Sequence, residues 1–212
     1  MARRNSVPDP AVSALMELLA TSPSFLEIGG IAFDGLNHVN QLRALSERAG
    51  LAVPRELSVE EIFALRGKEP LDALSLDDPG WCPSPGISDV AAVRRLRETL
   101  RDALFASGAP SEKMAARRLT SAARGYLLTP ALTDRGDLMV QTSQSDFSSR
   151  LAARLVPAAM RLVADGQMHR LGRCAEPWCR SPFVDRSRNG SAAYCGARCA
   201  SRARMRRHRD AA

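Results

Sequence analysis

The chain has 212 residues, a formal net charge of +7, and 45 % hydrophobic but only 5 % aromatic residues. That length holds one large domain or a medium domain with a small appendage, and so few aromatics give no sign of a β-sandwich or barrel. Neither an apolar stretch near a spanning length of about 20 residues nor a signal-peptide-like run between Arg3 and Pro10 is present, so the expectation is a soluble, cytoplasmic protein with no membrane partner.

Asp9 can cap, and Pro10 can start, a helix reaching about Thr21, with Val12, Leu15, Met16, Leu18 and Leu19 as its apolar face. Phe25 to Phe33 mixes apolar residues with Gly29 and Gly30, which fits a short strand or an extended entry. A second helix fits Leu36 to Ala49, with Leu36, Val39, Leu42 and Leu45 on one face and Gly50 ending it. Ser58-Val59-Glu60-Glu61 has the pattern of a capping box opening a short helix, and the run Leu71 to Ile87 is an irregular loop rich in Pro, Gly and Ser.

Ser88 can cap a helix from Asp89 to Ala106, with Val90, Val93, Leu96, Leu100 and Leu104 inward. Pro110 and Ser111 then start another that runs through Arg124 and Gly125. Tyr126 to Leu132 and Asp137 to Thr142, joined by Thr133-Asp134-Arg135-Gly136, form a β-hairpin pattern. A helix from about Asp146 to Ala164 follows, closed by Asp165-Gly166. Residues 1–167 are thus expected to be a predominantly α-helical domain with one β-hairpin, in an α+β chain.

The remaining residues, 168–212, differ in kind. They carry eleven arginines against Glu176, Asp185 and Asp210, a net of +8 that leaves −1 for the rest of the chain. Cys174 and Cys179 form a C-x4-C pair, Cys195 and Cys199 a C-x3-C pair, and fifteen residues separate the two. Two close pairs with such a spacer let two turns converge on one tetrahedral ion, the composition of a closed structural zinc site. Four ordinary reduced thiols or a disulfide framework are the rival readings, the second requiring an oxidising compartment. Cys82 stands apart and reads as a buried or incidental thiol. A knuckle around Pro177, a strand at Phe183-Val184-Asp185, the turn Ser187-Arg188-Asn189-Gly190 and a helix whose first turn carries the last two ligands make a treble-clef-like finger. Zinc would replace the core that Trp178, Phe183, Val184 and Tyr194 are too few to build, with these aromatics expected to pack rather than stack on bases.

The runs Arg173 to Cys179, Phe183 to Gly190 and Tyr194-Cys195 resemble the CGNR-type zinc finger of bacterial proteins. In that family the module closes a larger N-terminal domain assigned to stress-induced transcription regulation. The resemblance is specific across about Leu171 to Arg209 and looser upstream. The family's closing pair is C-x4-C followed by Gly-Asn-Arg, where this chain has C-x3-C and Cys199-Ala200-Ser201-Arg202, a shortening that changes the helical phase of the last ligand. The resemblance implies zinc on Cys174, Cys179, Cys195 and Cys199, and nucleic-acid contacts from the closing helix: Arg198, Arg202, Arg204, Arg206, Arg207 and Arg209.

At about 100° per residue, Arg198, Arg202, Arg206 and Arg209 cluster on one side while Arg204 and Arg207 fall elsewhere, which favours backbone contact over a single reading face. His208 reads as a solvent-facing polar group. The expected function is a zinc-dependent nucleic-acid-binding regulator. DNA is favoured over RNA because the resemblance points to transcription. The alternatives are an RNA or ribosome binder and a zinc-stabilised interaction module for an acidic partner. Homodimerisation is an expectation from regulators in general, and a small-molecule effector has no support in the residues. An enzyme is not expected: His38, His169 and His208 fall in no catalytic motif, and four thiolates leave no open metal position for water.

Overall fold

A computed structural model of the chain describes residues 9–28, 31–51, 82–106, 111–133 and 135–210. The helix expected from Ser58 and the expected loop up to residue 81 lie outside the described residues.

The first helix, α1 (Pro10–Ala20), begins as its residues dictate: the Asp9 carboxylate accepts from Ala11 N at 2.9 Å and proline holds the first turn. Two short strands, β1 (Glu27–Ile28) and β2 (Ile31–Ala32), pair antiparallel after it. Helix α2 (Val39–Arg48) starts three residues later than its apolar periodicity predicts. Leu36 N is drawn to Asp34 Oδ1, and the Asn37 and His38 N–H groups donate to Gln41 Oε1, so local side-chain acceptors hold this stretch as the helix entrance. Asn37 and His38 are therefore exposed residues preceding the helix, a correction to their expected place within it.

Helix α3 (Ile87–Leu104) begins earlier than predicted: Gly86, rather than Ser88, takes the cap position, and the Asp89 carboxylate in the first turn accepts from Gly86 N at 2.7 Å. Helix α4 (Glu112–Gly125) is capped by Ser111, whose hydroxyl accepts from Met114 N, and buries Ala115, Leu119 and Ala122 along one stripe. The hairpin of β3 (Leu128–Leu132) and β4 (Leu138–Thr142) has five paired positions, from Leu128 opposite Thr142 to Leu132 opposite Leu138, with Gly136 at φ +81° in the connecting turn.

Helix α5 (Phe147–Ala164), capped by Asp146, is the spine: twelve of its eighteen residues are buried, so apolar neighbours surround it rather than flank it. It packs against α1, α3, α4 and β4. Gly166, at φ +63°, ends it and leads through a short 3-10 turn (Gln167–Arg170) to β5 (Leu171–Arg173). Strand β5 pairs antiparallel with β6 (Pro182–Val184), and helix α6 (Ala197–Asp210) closes the described chain. The predominantly α-helical α+β class is as expected. No helix among the described residues is long and apolar enough to cross a membrane.

An ion-pair network stiffens the body. Arg97, 2 % exposed, donates from both terminal nitrogens to Asp34, from Nε to Glu98 and from Nη1 to the Thr21 carbonyl. Glu98 also accepts from Ser22 and Arg101, so the end of α1, the loop before α2 and α3 meet at one guanidinium.

Candidate metal centre and basic surface

The β5–β6 hairpin has the first cysteine pair as its loop. Pairing of Arg173 with Pro182 brings the strands together, and Cys174 N donates to Ser181 O at 3.0 Å across the neck. Inside the loop, Cys179 N and Arg180 N both donate to Glu176 O, which folds a tight knuckle with Arg180 at φ +49°. The second pair arrives from the other side. Ala175 N donates to Ala193 O at 2.8 Å, which lays the segment before Cys195 against the knuckle. Gly196 separates Cys195 from α6 and Cys199 sits in its first turn, so one ligand, not two, comes from the helix, correcting the expected arrangement.

All four Sγ atoms lie within 4.8 Å of one another. Cys179 to Cys195 is 3.6 Å and Cys195 to Cys199 is 3.7 Å. A tetrahedral ion with Zn–S bonds of about 2.3 Å requires S···S edges of about 3.8 Å, so the cluster fits one structural zinc ion. Despite the shortened C-x3-C spacing, Cys199 stands with the other three thiols. Cys174 and Cys199 are buried and Cys195 is exposed, so the cluster is closed by protein on one side and faces solvent on the other.

The thiols differ in acidity. Burial would raise Cys179, but contacts from the Ser181 side chain and backbone and from the Cys195 and Cys199 thiols outweigh it and bring it to about 7. Burial, reinforced by the neighbouring Cys179, pushes Cys199 up to about 11 and Cys195 higher still. Bound zinc would hold all four as thiolates.

Around the cluster, Asp185 organises the stretch between β6 and the second pair: its carboxylate accepts from Ser187 N and Ala192 N, and Arg170 Nη1 donates to Ser187 O at 2.7 Å. Arg186 and Arg188 stand exposed on this loop, a contribution to the basic surface that sequence reasoning passed over.

On α6, Cys199 and Ala203 face inward. Arg198, Arg202, Arg204, Arg207 and Arg209 are exposed. Arg206 is not one of a free row: its Nη1 donates at 2.8 Å to Oε1 of Glu176, a knuckle residue 1 % exposed. Helical phase explains this, since Arg206 lies within about 20° of the Cys199 direction. The expected cluster is thereby divided: Arg198, Arg202 and Arg209 flank the inward face on one side, and Arg204 and Arg207 on the other.

Trp178 departs further from expectation. It is 80 % exposed, whereas Phe183 is buried and Tyr194 half-buried. Packing of the finger is thus left mainly to Phe183 and to the metal cluster.

The finger is fixed to the body. Strand β6 packs on α1, and Met168, Leu171 and Val184 join the main apolar core. The Arg173 guanidinium lies 4.6 Å from the centroid of the Phe25 ring and donates to Ser24 O. Between α1 and β6 a cleft of about 420 Å³, lined by Met16, Glu17, Phe183 and Arg186 among others, reaches Cys195.

A helical body carrying a docked four-cysteine zinc finger is the class of protein that fold and site define. The model of the CGNR zinc finger family matches residues 170–212, and that of the ABATE family, described as "Putative stress-induced transcription regulator", matches residues 12–166. The second match covers most of the chain, which therefore belongs to the ABATE family and carries a CGNR zinc finger. No curated protein matches it.

Proposed function

We propose that the protein is a DNA-binding transcription regulator whose zinc finger docks α6 on the phosphate backbone. The observation that carries this reading is the placement of five exposed arginines on the zinc-anchored helix, while residues 1–167 carry a net charge of −1. Arginine neutralises phosphates and releases their counterions, so charge concentrated on one rigid element acts as an electrostatic footprint. Flanks divided by Arg206 suit contact with the phosphate backbone better than reading of base edges from one face. The metal's role in this reading is structural: four thiolates fill a tetrahedral shell and leave no position for a reacting water, so we assign no catalysis to it.

The test is binding of the zinc-loaded full chain to duplex DNA as salt is raised. With three to five phosphates engaged, log affinity falls against log salt with a slope of about −3 to −4.5, at roughly 0.9 per phosphate. Tight binding to folded RNA alone would move the target to RNA. Binding of neither nucleic acid would leave an acidic protein as the partner of this surface.

A further inference from the structure

We propose that Trp178 is a base-stacking residue and that the finger's preferred target is nucleic acid with bases already unpaired: a single strand, a loop or an opened stretch of duplex. This rests on the nucleic-acid reading above and specifies its substrate.

A small metal-held module has few large apolar side chains, and each is normally spent on its core. Here Phe183 is 8 % exposed while the larger Trp178 is 80 % exposed. Its position is fixed from both sides. Two residues before it, Glu176 is tied to Arg206 in the middle of α6; one residue after it, Cys179 is held against Cys195 and Cys199 at the start of that helix. The segment 176–179 therefore runs alongside α6, and Pro177 further restricts its backbone. The backbone that carries the indole is thus held, so only its two side-chain torsions need be ordered when it meets a flat partner.

Its surroundings state what that partner is. Arg198 and Arg202, both exposed, lie beside the cysteines that the knuckle meets. Arginines that track phosphates beside an aromatic platform are the combination that binds single strands, because every base has a face to stack and every nucleotide a charge to neutralise. A smooth duplex offers the arginines phosphates but offers the indole nothing unless a step is pried apart. The unstacking cost of one step matches or exceeds what one ring recovers by stacking. An unpaired base carries no such cost.

The experiment compares a 20-nucleotide oligo-dT, the matching oligo-U and a blunt 20-base-pair duplex against the zinc-loaded full chain and its Trp178→Ala and Trp178→Phe variants at one salt concentration. A Trp81→Phe form makes Trp178 the one tryptophan of the chain and a fluorescence reporter. Zinc content, measured on each variant, establishes that the finger is intact. The expected results are tighter binding to an oligonucleotide than to duplex, quenching of Trp178 on binding, and a loss of about tenfold in single-strand affinity for Trp178→Ala, largely restored in Trp178→Phe. Duplex affinity and salt slope stay unchanged in both. Comparing oligo-dT with oligo-U distinguishes DNA from RNA as the source of the bases. Unquenched fluorescence with no loss in Trp178→Ala, while duplex still binds, overturns the stacking role and leaves the nucleic-acid reading standing. Failure of all three nucleic acids to bind overturns both.

Discussion

Arg206 donates to Glu176 at 2.8 Å, joining the middle of α6 to a knuckle residue that is 1 % exposed. An arginine that sequence alone assigns to a basic stripe is thus the counter-charge of a buried carboxylate. The two roles predict different losses. Arg206→Ala leaves the buried Glu176 carboxylate without this partner, and its desolvation is then uncompensated. Thermal unfolding should show that loss, and adding Glu176→Gln should recover part of it. Nucleic-acid affinity of the folded variant should change little.

Arg202→Ala and Arg204→Ala should behave the opposite way. Both side chains are exposed, so stability should stay within about 0.5 kcal/mol of the parent. Each should weaken nucleic-acid binding uniformly across sequences and reduce the salt slope by about 1, read by fluorescence anisotropy at several salt concentrations.

Zinc loading should expel protons. With Cys179 near 7 and both Cys195 and Cys199 raised by burial and by their contact with Cys179, these last two ligands enter as thiols at neutral pH. Apparent zinc affinity, measured by chelator competition, should therefore fall as pH is lowered from 8 to 6. Cys174→Ser and Cys199→Ser, which replace the two buried ligands, should both lose the metal in elemental analysis.

The network at Arg97 predicts sensitivity to acid. Burial would raise the Asp34 and Glu98 carboxyls, but hydrogen bonds and charge from Arg97, joined by Arg101 and Ser22 at Glu98, hold both below their ordinary values of 3.8 and 4.5. Their contribution is complete above those values and is lost as pH falls past the lower folded-state ones. Asp34→Ala should cost about 3 kcal/mol at pH 7, because it strips a buried guanidinium of its bidentate partner. Urea midpoints at pH 7 and pH 3 should show this difference narrowing in acid.

Cys82 should be inert. Fully buried, its thiol is pushed up to about 12, chiefly by burial, with the nearby Asp89 and Asp146 adding to the rise and Arg150 opposing it. A thiol-reactive dye should label the zinc-bound protein slowly, gain access to the four finger thiols after chelation, and reach the fifth only in denaturant.

Much of this architecture is legible in the residues. Asp9-Pro10, Ser111 and Asp146 mark helix starts because their side chains satisfy N–H groups two or three residues away. The cysteine spacing places the cluster because the knuckle is local. Less legible were features that depend on distant partners. Leu171–Arg173 has no strand pattern of its own and becomes β5 only by pairing with Pro182–Val184. Arg206 looks like its neighbours until Glu176, thirty residues earlier, is brought beneath it. The exposure of Trp178 runs against its hydrophobicity, so no burial rule could supply it. The late start of α2 was readable from Asp34 and Gln41 as competing acceptors, but apolar periodicity masked it.

Arg173 over Phe25, with Leu171 and Val184 in the body's core, removes a freedom that small metal modules often have. The finger is not a portable cassette. Severed near residue 167 and grafted to another carrier, it would bare the side chains of β5 and β6 that seat it on α1 and the core, and it would lose the surface that holds its hairpin in place.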